Sequence, residues 1–339
     1  MEPWAPARLV PLAIVTRNGR IEAQHLGAVA VVDARGTLQA AAGDPDLVSY
    51  LRSAAKPFQA AAVVESGAAD AFALGPRELA VIAGSHAGEA EHVALVQQIL
   101  ARLGLDETAL RCGAQPPLSP AAAAALVAAG EQPRPIHHNC SGKHAGMLAV
   151  CRHAGWSLES YLASSHPVQQ RNREMVAALA ALPVEAVGVG VDGCGVPTFA
   201  ISLRAMARLY AQLAAPQALP PARARALDRV REAMLAHPHL VAGSGRLDTA
   251  LMRAAGGRLV AKGGAEGVHC AGLVGEGVGV ALKIADGAPR AVGPALLAVL
   301  ARLGWLSDAA LAALAAHARP PVQNSRGETV GEIVGLAPW

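Results

Sequence analysis

Two short motifs place a serine beside a basic side chain, an arrangement that can generate a nucleophile. Ser53 and Lys56 are three residues apart, and in a helix this spacing brings both side chains to one face. A serine hydroxyl attacks a carbonyl once a base removes its proton, and a buried, neutral lysine can be that base. The second motif is Ser85-His86, which small residues flank on both sides. The non-catalytic alternatives are a capping serine with a solvated lysine for the first motif, and a cap for the helix predicted near Glu89 for the second.

A third segment is dense in groups that can bind metals. Residues 137–147 contain three histidines, one cysteine and one lysine within eight positions, ahead of an apolar helix. This density favours a metal site, an activated thiol at a helix N-terminus, or a substrate loop, and the alternative is a polar loop with a free thiol. Cys194 could supply a second thiolate beside Cys140, although neither cysteine lies in a Cys-x-x-Cys pair. By residue type alone, His138 or His144 is the expected third ligand.

Two further segments end apolar runs with glycine-rich turns. Asp192-Gly193-Cys194-Gly195 follows a short β-branched run, and Lys262-Gly263-Gly264 follows an apolar run just before a predicted strand. An ordinary turn with a surface lysine is the alternative for the latter. Lysine is rare in this sequence, which uses arginine for most of its basic charge. The four lysines are Lys56, Lys143, Lys262 and Lys283. Because arginine cannot give up its proton and a desolvated lysine can, each lysine is a candidate for acid–base catalysis.

The elements that position these motifs follow from hydrophobic periodicity and turn residues. Strands are predicted near both ends of the chain: residues 9–16, 21–32, 268–273, 278–284 and 329–336. Helices are predicted mainly between them: residues 89–103, 119–129, 204–213, 220–236 and 294–303. This order predicts an α/β (α+β) fold in which N- and C-terminal strands form one antiparallel sheet, flanked by helices and carrying a helical insertion. We expect a single catalytic unit over residues 1–339, with a terminal layer (about 1–60 and 240–339) and a mainly helical portion (about 61–239).

The composition excludes several classes of partner. The net charge is +3 and aromatic residues make up 3% of the chain, which leaves no electrostatic footprint for nucleic acid and few rings for base stacking. Residues 1–6 lack the basic and apolar parts of a signal peptide, and apolar runs end before the roughly 18 residues that a membrane span needs. Five cysteines favour reduced thiols over a disulfide framework. We therefore expect a cytoplasmic protein that binds neither nucleic acid nor membranes.

Four of these segments, taken in order, resemble the motifs of the rhizobial-type (class 3) L-asparaginase family. They are RSAAKP (residues 52–57), CSGKHAGM (140–147), DGCGVP (192–197) and AKGG (261–264). The resemblance extends from the first predicted strand to the last. It implies a fold similar to serine β-lactamases, penicillin-binding proteins and glutaminases, and hydrolysis of the side-chain amide of L-asparagine to aspartate and ammonia. It also implies a homodimer.

The resemblance also implies which residues act. It predicts two serine–lysine pairs, Ser53 with Lys56 and Ser85 with Lys262, that form and break an acyl-enzyme. It further implies zinc beside the catalytic groups, with a fourth place for water, bound by three residues: Cys140, Lys143 and Cys194. Two residues are candidates for binding the substrate. Arg52 would bind the α-carboxylate, and Asp192 would bind the ammonium group or orient a zinc-bound water.

Two alternatives to an asparaginase remain open at this point. One is another hydrolase on the same scaffold, either a glutaminase or an enzyme that acts on β-lactams. The β-lactam branch is disfavoured because no Ser-Asp-Asn element is found and Lys262-Gly263-Gly264 lacks the usual threonine. The other alternative is a non-catalytic zinc-binding protein in which both serines are helix caps.

Overall fold

A computed structural model describes residues 7–339 of the chain, and residues 1–6, from which we expect no signal peptide, lie outside this range. The strands are β1 Val10–Arg17, β2 Arg20–Asp33, β3 Leu38–Ala42, β4 Val48–Tyr50, β5 Gly188–Val191, β6 Pro197–Ser202, β7 Leu259–Gly263, β8 Val268–Leu273, β9 Val278–Ile284, β10 Pro321–Gln323 and β11 Thr329–Gly335. The helices are α1 Lys56–Glu65, α2 Ala68–Ala71, α3 Pro76–Ile82, α4 Ala90–Arg102, α5 Pro120–Ala128, α6 Ser141–Ala154, α7 Pro167–Ala180, α8 Leu203–Ala214, α9 Pro221–Ala236, α10 Pro238–Ala242, α11 Leu247–Ala254, α12 Pro289–Arg302, α13 Asp308–Ala313 and α14 Ala315–Ala318.

The chain divides into two compact units. The first comprises the described part of Met1–Ala54 together with Ile201–Ala215 and Ala250–Trp339. The second comprises Ala55–Ala200 and Pro216–Thr249. The single catalytic unit that we expect from the sequence stays a prediction.

The first unit is built on an antiparallel sheet. Its strand order is β10-β11-β1-β2-β9-β8-β7, and β3 pairs with β2. Strands from both ends of the chain are therefore neighbours, with Val29 of β2 opposite Leu282 of β9. The central residues of β2, from Ala28 to Val32, are all buried, as expected of a strand that is covered on both faces. The sheet that the sequence predicts from the two ends of the chain is confirmed.

Local sequence explains two features of this sheet. Asn18 and Gly19 have φ values of 46° and 76°, the left-handed conformation that a tight turn between β1 and β2 requires. Helix α8 packs directly on the sheet, because a Cβ at Gly279 would lie 1.9 Å from the Ala207 carbonyl oxygen and one at Gly272 would lie 2.3 Å from that of Tyr210. Glycine is needed at these two strand positions for the helix backbone to approach so closely.

The second unit is mainly helical and is organised around α1. Residues 56–64 of α1 are buried, and the helix contacts α6, α7 and α9. Helix α6 packs closely on α3, because a Cβ at Gly142 would lie 2.4 Å from the Val81 carbonyl oxygen and one at Gly146 would lie 2.6 Å from Ile82 Cγ2. This close packing sets the first turn of α6 beside the last turn of α3.

Several elements differ from the sequence prediction. Helix α12 begins at Pro289, not at residue 294 as predicted, and Pro294 lies inside it. The apolar run ahead of Lys262-Gly263-Gly264 is an edge strand, β7, which pairs with β8.

None of the helices within residues 7–339 is long and apolar enough to span a bilayer.

Candidate active site

A buried lysine–serine contact lies in the second unit. Lys56 is the first residue of α1 and is fully buried, and Ser85 is 5% exposed. The Lys56 Nζ is 2.8 Å from Ser85 Oγ and also donates to the backbone oxygen of Asn139 at 3.3 Å. A lysine amine this close to a serine hydroxyl can exchange a proton with it directly.

The loop after α3 is held in place by its backbone. The Ser85 N–H donates to the Val241 carbonyl oxygen at 2.7 Å. The preceding residue must be small, because a Cβ at Gly84 would lie 2.7 Å from the same oxygen. Helix α10 therefore fixes the position of Ser85 relative to Lys56.

Ser53 lies in the first unit, in a turn with an unusual backbone. It belongs to a 3-10 turn, Arg52–Ala55, and is half-buried. Arg52 has a φ of 49°, a left-handed conformation that is strained for a residue with a long side chain. The turn is held at its end by Tyr210, whose hydroxyl donates to the Ala54 carbonyl oxygen at 2.8 Å.

Lys262 lies near the end of β7, in the same unit as Ser53. Its side chain is 2% exposed, and its Nζ donates to the Gly263 carbonyl oxygen at 2.7 Å. The backbone after β7 runs against the Arg52 turn, because a Cβ at Gly264 would lie 2.7 Å from the Leu51 carbonyl oxygen and 3.4 Å from Arg52 Cβ. The glycine pair after Lys262 thus lets the end of the strand approach the segment that contains Ser53.

These positions relate to the predicted pairs in an unexpected way. The sequence resemblance pairs Lys56 with Ser53 and Lys262 with Ser85. The structure places Lys56 in hydrogen-bond contact with Ser85, so the observed contact links members of the two predicted pairs. The catalytic roles of all four residues stay predictions.

The three predicted zinc ligands lie together in the second unit. Cys140 precedes α6, Lys143 lies in the first turn of that helix, and Cys194 lies in the turn between β5 and β6. Lys143 Nζ is 3.1 Å from Cys194 Sγ. All three residues are at most 4% exposed.

Asp192 also belongs to this cluster. Its Oδ2 lies 3.6 Å from Lys143 Nζ and 3.8 Å from Cys194 Sγ. Its Oδ1 accepts the Gly193 N–H at 2.9 Å, which fixes the carboxylate within its turn. The structure thus brings a predicted substrate-binding residue next to the predicted metal ligands.

The charges in this cluster stabilise one another. The neighbouring Cys194 thiol, helped by the positive charges of Lys56 and Lys143, holds the pKa of Cys140 well below its ordinary value. The same contact, with burial, raises the pKa of Cys194. Burial alone would lower the pKa of Lys143, but Cys140, Cys194 and Asp192 around the amine outweigh this effect and raise that pKa.

The donor set suits a zinc ion. Two buried thiols and an amine supply the sulfur and nitrogen ligands that Zn²⁺ prefers. A metal would displace protons from Cys194 and Lys143, because ligands must be deprotonated to bind. The neighbouring carboxylate of Asp192 is suitable for orienting a ligand or a bound water.

The two histidines that residue type favoured as metal ligands make other contacts. His138 Nδ1 accepts the Cys140 N–H at 3.0 Å. His144 Nδ1 is 2.7 Å from the Tyr161 hydroxyl, which in turn accepts the Arg111 N–H at 2.9 Å. His138 therefore orients the backbone at Cys140, and His144 joins a buried hydrogen-bond network.

A buried His86–Ser141 pair supports the candidate site and was not assigned a role from the sequence. His86 Nδ1 accepts the Gly88 N–H at 3.2 Å, so Nε2 carries the proton and donates to Ser141 Oγ at 2.8 Å. Ser141 Oγ donates to the Ile136 carbonyl oxygen at 3.0 Å. Burial lowers the pKa of His86 well below its ordinary value. These hydrogen bonds between neutral groups link the Ser85 loop to the start of α6. In the sequence, the two residues could have been noticed because each is next to a predicted site residue.

Comparisons with known proteins match most of the chain to one family. The sequence model of L-asparaginase II matches residues 13–334, whereas no curated protein is significantly similar. Among solved structures, Mglu in its glutamate form is 16% identical with a TM-score of 0.48, and the match covers 83% of this chain and 61% of that one. A β-lactamase from Mycobacterium bovis is 15% identical with a TM-score of 0.39, covering 86% and 95%. This chain spans less than two thirds of the length of the Mglu chains that it resembles.

Proposed function

Since the chain belongs to the L-asparaginase II family, we propose that it hydrolyses the side-chain amide of L-asparagine to aspartate and ammonia. Family membership supports amide hydrolysis in general, and asparagine as substrate is the specific part of the proposal. The observation that supports it most directly is the buried contact between Lys56 Nζ and Ser85 Oγ at 2.8 Å. Such a pair supplies the proton transfers that amide hydrolysis needs.

The proposed reaction begins with nucleophilic attack by Ser53. Lys56, in its neutral form, accepts the hydroxyl proton as Ser53 Oγ bonds to the amide carbon. The C–N bond then breaks, the nitrogen takes up a proton and leaves as ammonia, and a β-aspartyl ester remains on Ser53. The left-handed conformation of Arg52 supports this role for Ser53, because strained turns of this kind recur at functional sites.

Water completes the cycle by hydrolysing the ester. A base accepts a proton from the attacking water, the ester bond breaks, and the Ser53 oxygen regains a proton as aspartate leaves. Ser85 and Lys262 relay protons to the leaving nitrogen or assist this second step. The hydrogen bond between Lys56 and Ser85 supports the relay, because it connects the proposed base to a second hydroxyl.

Two charged residues are proposed to bind the backbone groups of the substrate. Arg52 precedes the nucleophile and would pair with the α-carboxylate, since a guanidinium matches a carboxylate in shape and charge. Asp192 would bind the α-ammonium group or orient a water at the metal site. Its carboxylate is 8% exposed and already lies beside a cation, Lys143.

Zinc would be held by Cys140, Lys143 and Cys194. Bound there, it would supply a Lewis acid and connect the start of α6 to the turn that contains Asp192. With serine–lysine chemistry available for the acyl transfer, we propose that the three ligands serve to order this turn for substrate binding. Asp192 would then keep its carboxylate at a fixed position.

Parallel assays of three substrates test the proposed function. Purified protein is incubated with L-asparagine, L-glutamine and a chromogenic β-lactam, and product release is followed for each. Turnover of asparagine above glutamine supports the proposal. Preference for glutamine would indicate a glutaminase, and turnover of the β-lactam alone would indicate an enzyme that acts on β-lactams. Turnover of none of them would favour the non-catalytic alternative.

A further inference from the structure

A second cluster of metal-binding side chains lies in the second unit, apart from the cysteines. It consists of Glu89, His92 and His239, whose ligand atoms all lie within 4.8 Å of one another. Glu89 immediately precedes α4, His92 lies in the first turn of that helix, and His239 belongs to α10. The proposed reaction uses none of these three residues.

His92 carries a buried nitrogen that lacks a hydrogen-bond partner. The residue is fully buried, and its Nε2 lies 3.0 Å from the His239 carbonyl oxygen, so Nε2 carries the proton and donates. The lone pair is then on Nδ1, which has no hydrogen-bond partner and lies 4.0 Å from Glu89 Oε2. Burying an unpaired acceptor costs free energy, and a cation bound beside Nδ1 would remove that cost.

The other two ligand atoms face the same place. His239 Nε2 lies 3.1 Å from Glu89 Oε2 and 3.4 Å from Glu91 Oε2. Glu89 Oε1 accepts the Ser244 N–H at 3.0 Å, and Oε2 lies 3.5 Å from the Ser244 hydroxyl. Ser244 thus holds the carboxylate with Oε2 near both histidines. His239 is 24% exposed, so an ion can reach the cluster from solvent.

From this geometry we propose that Glu89 Oε2, His92 Nδ1 and His239 Nε2 bind a divalent transition metal of the zinc class. Two imidazoles and one carboxylate are a recurrent ligand set for this ion. Zinc bonds of about 2.0–2.1 Å in a tetrahedral arrangement place ligand atoms about 3.3 Å apart. The observed separations of 3.1 and 4.0 Å reach this value with small side-chain movements. Glu91 supplies additional negative charge at the rim.

A simple ion pair explains the cluster less completely. A protonated His239 would satisfy Glu89 and Glu91, but His92 Nδ1 would stay buried without a partner. The metal uses all three groups at once. The two imidazoles already lie side by side, since His92 stacks on His239 with ring centroids 5.1 Å apart.

A metal at the proposed site would stabilise the Ser85 loop through the residues that contact it. His86 stacks on His92 with ring centroids 5.2 Å apart, and the Ser85 N–H is bonded to Val241 on α10. A metal that joins the start of α4 to α10 would therefore hold both segments that fix Ser85. The site is separate from the cysteine cluster and does not depend on the proposed reaction.

Cobalt titration of the metal-free protein tests the site. Full-length wild type, Glu89→Gln and His239→Ala are stripped with a chelator and titrated with Co²⁺. Cobalt at the cysteine cluster would give a thiolate-to-metal charge-transfer band, whereas cobalt bound by histidine and carboxylate gives ligand-field absorption alone. Glu89→Gln keeps an oxygen that can accept the Ser244 N–H, so it tests the ligand with little disturbance of the loop. His153→Ala, which removes an exposed histidine, is the control.

We expect wild type and His153→Ala to bind one equivalent of Co²⁺ without a charge-transfer band, in addition to any bound by thiolates. Glu89→Gln and His239→Ala should bind that equivalent at least about tenfold more weakly, since even residues that only orient metal ligands contribute this much. Zn²⁺ should also raise the Tm of wild type more than that of either variant. Equal cobalt binding by wild type and both variants would show that no metal binds here, whatever the cysteine cluster does.

Discussion

Lys56 and Ser85 are 29 positions apart in the sequence, yet the amine of one lies 2.8 Å from the hydroxyl of the other in the interior of the protein. The contact depends on the close packing of α1, α3 and α6 and on the backbone bond from Ser85 to α10. It makes Ser85 part of the proton path of the proposed reaction.

Replacing Ser85 by alanine should reduce turnover without abolishing it. The relay hydroxyl is lost while Ser53 and Lys56 are kept, so we expect kcat for asparagine to fall by roughly 100-fold or more, as for other acid–base groups. Steady-state ammonia release measures the effect. Ser165→Ala removes an exposed serine and should match wild type. Unchanged kcat in Ser85→Ala would exclude the relay.

Lys56→Arg should be nearly inactive although it preserves the positive charge. Arginine does not give up its proton in proteins, so it cannot act as the base. We expect kcat to fall by roughly 100-fold or more, and circular dichroism reports whether the variant folds. The matched control is Lys283→Arg, because Lys283 on β9 has no role in the proposed reaction. An active Lys56→Arg enzyme would contradict a lysine base.

The turnover of the wild type should rise with pH. The proposed base works only as a neutral amine, so kcat/KM for asparagine should fall on the acid side and be highest in alkaline buffer. Initial rates between about pH 6 and pH 10 provide the profile. A flat profile over this range would argue against lysine as the base.

Stability should fall as the solution is acidified below neutrality. Burial lowers the native-state pKa of His86 and His92 below the ordinary value of 6.5, so the unfolded state binds more protons once the pH drops through that value. The two histidines therefore leave the free energy of unfolding unchanged above about pH 6.5. Below that pH, the free energy of unfolding declines by at most about 1.4 kcal/mol per pH unit for each histidine.

Urea unfolding of metal-free protein at several pH values between about 7.5 and 5 measures this decline. The variant His86→Gln removes one of the titrating groups, so its slope should be smaller than that of wild type. Equal slopes for the two proteins would mean that His86 is not held neutral in the native state.

Loss of a proposed zinc ligand should affect substrate binding more than the chemical step. Cys194→Ser weakens the cluster that orders the Asp192 turn, so we expect KM for asparagine to rise more than kcat falls, with loss of bound zinc by elemental analysis. Cys112→Ser is the control, because this thiol is not a proposed ligand and donates to the Pro135 carbonyl oxygen at 3.4 Å, and burial raises its pKa to about 12. If kcat vanished in Cys194→Ser while KM stayed constant, zinc would have to act in the chemistry.

The fold was largely predictable where local pattern and packing agree. Strands β8 and β9 have the bounds that the sequence predicts, because their apolar runs end at glycine turns. Strand β7 was not predicted, since its extended form depends on pairing with β8 at the sheet edge. Helix α12 begins earlier than predicted because Pro289 occupies its first turn and the helix accommodates Pro294.

Sequence motifs single out the candidate site residues but do not show which of them are in contact. Local spacing suggests Ser53 for Lys56, whereas the contact with Ser85 depends on how three helices pack. The same holds for the histidine cluster, where Glu89 and His92 are close in sequence but His239 reaches them through the tertiary fold. Sequence spacing does not reveal contacts between residues that are far apart along the chain.

Ammonia release from L-asparagine by wild type and Ser53→Ala is the most direct test of the proposed amidohydrolase. We expect turnover by wild type and a loss of at least about 1,000-fold in the folded variant, as when a nucleophile is removed. Equal turnover by both proteins would contradict Ser53 as the nucleophile, and absence of turnover by wild type would contradict the proposed activity.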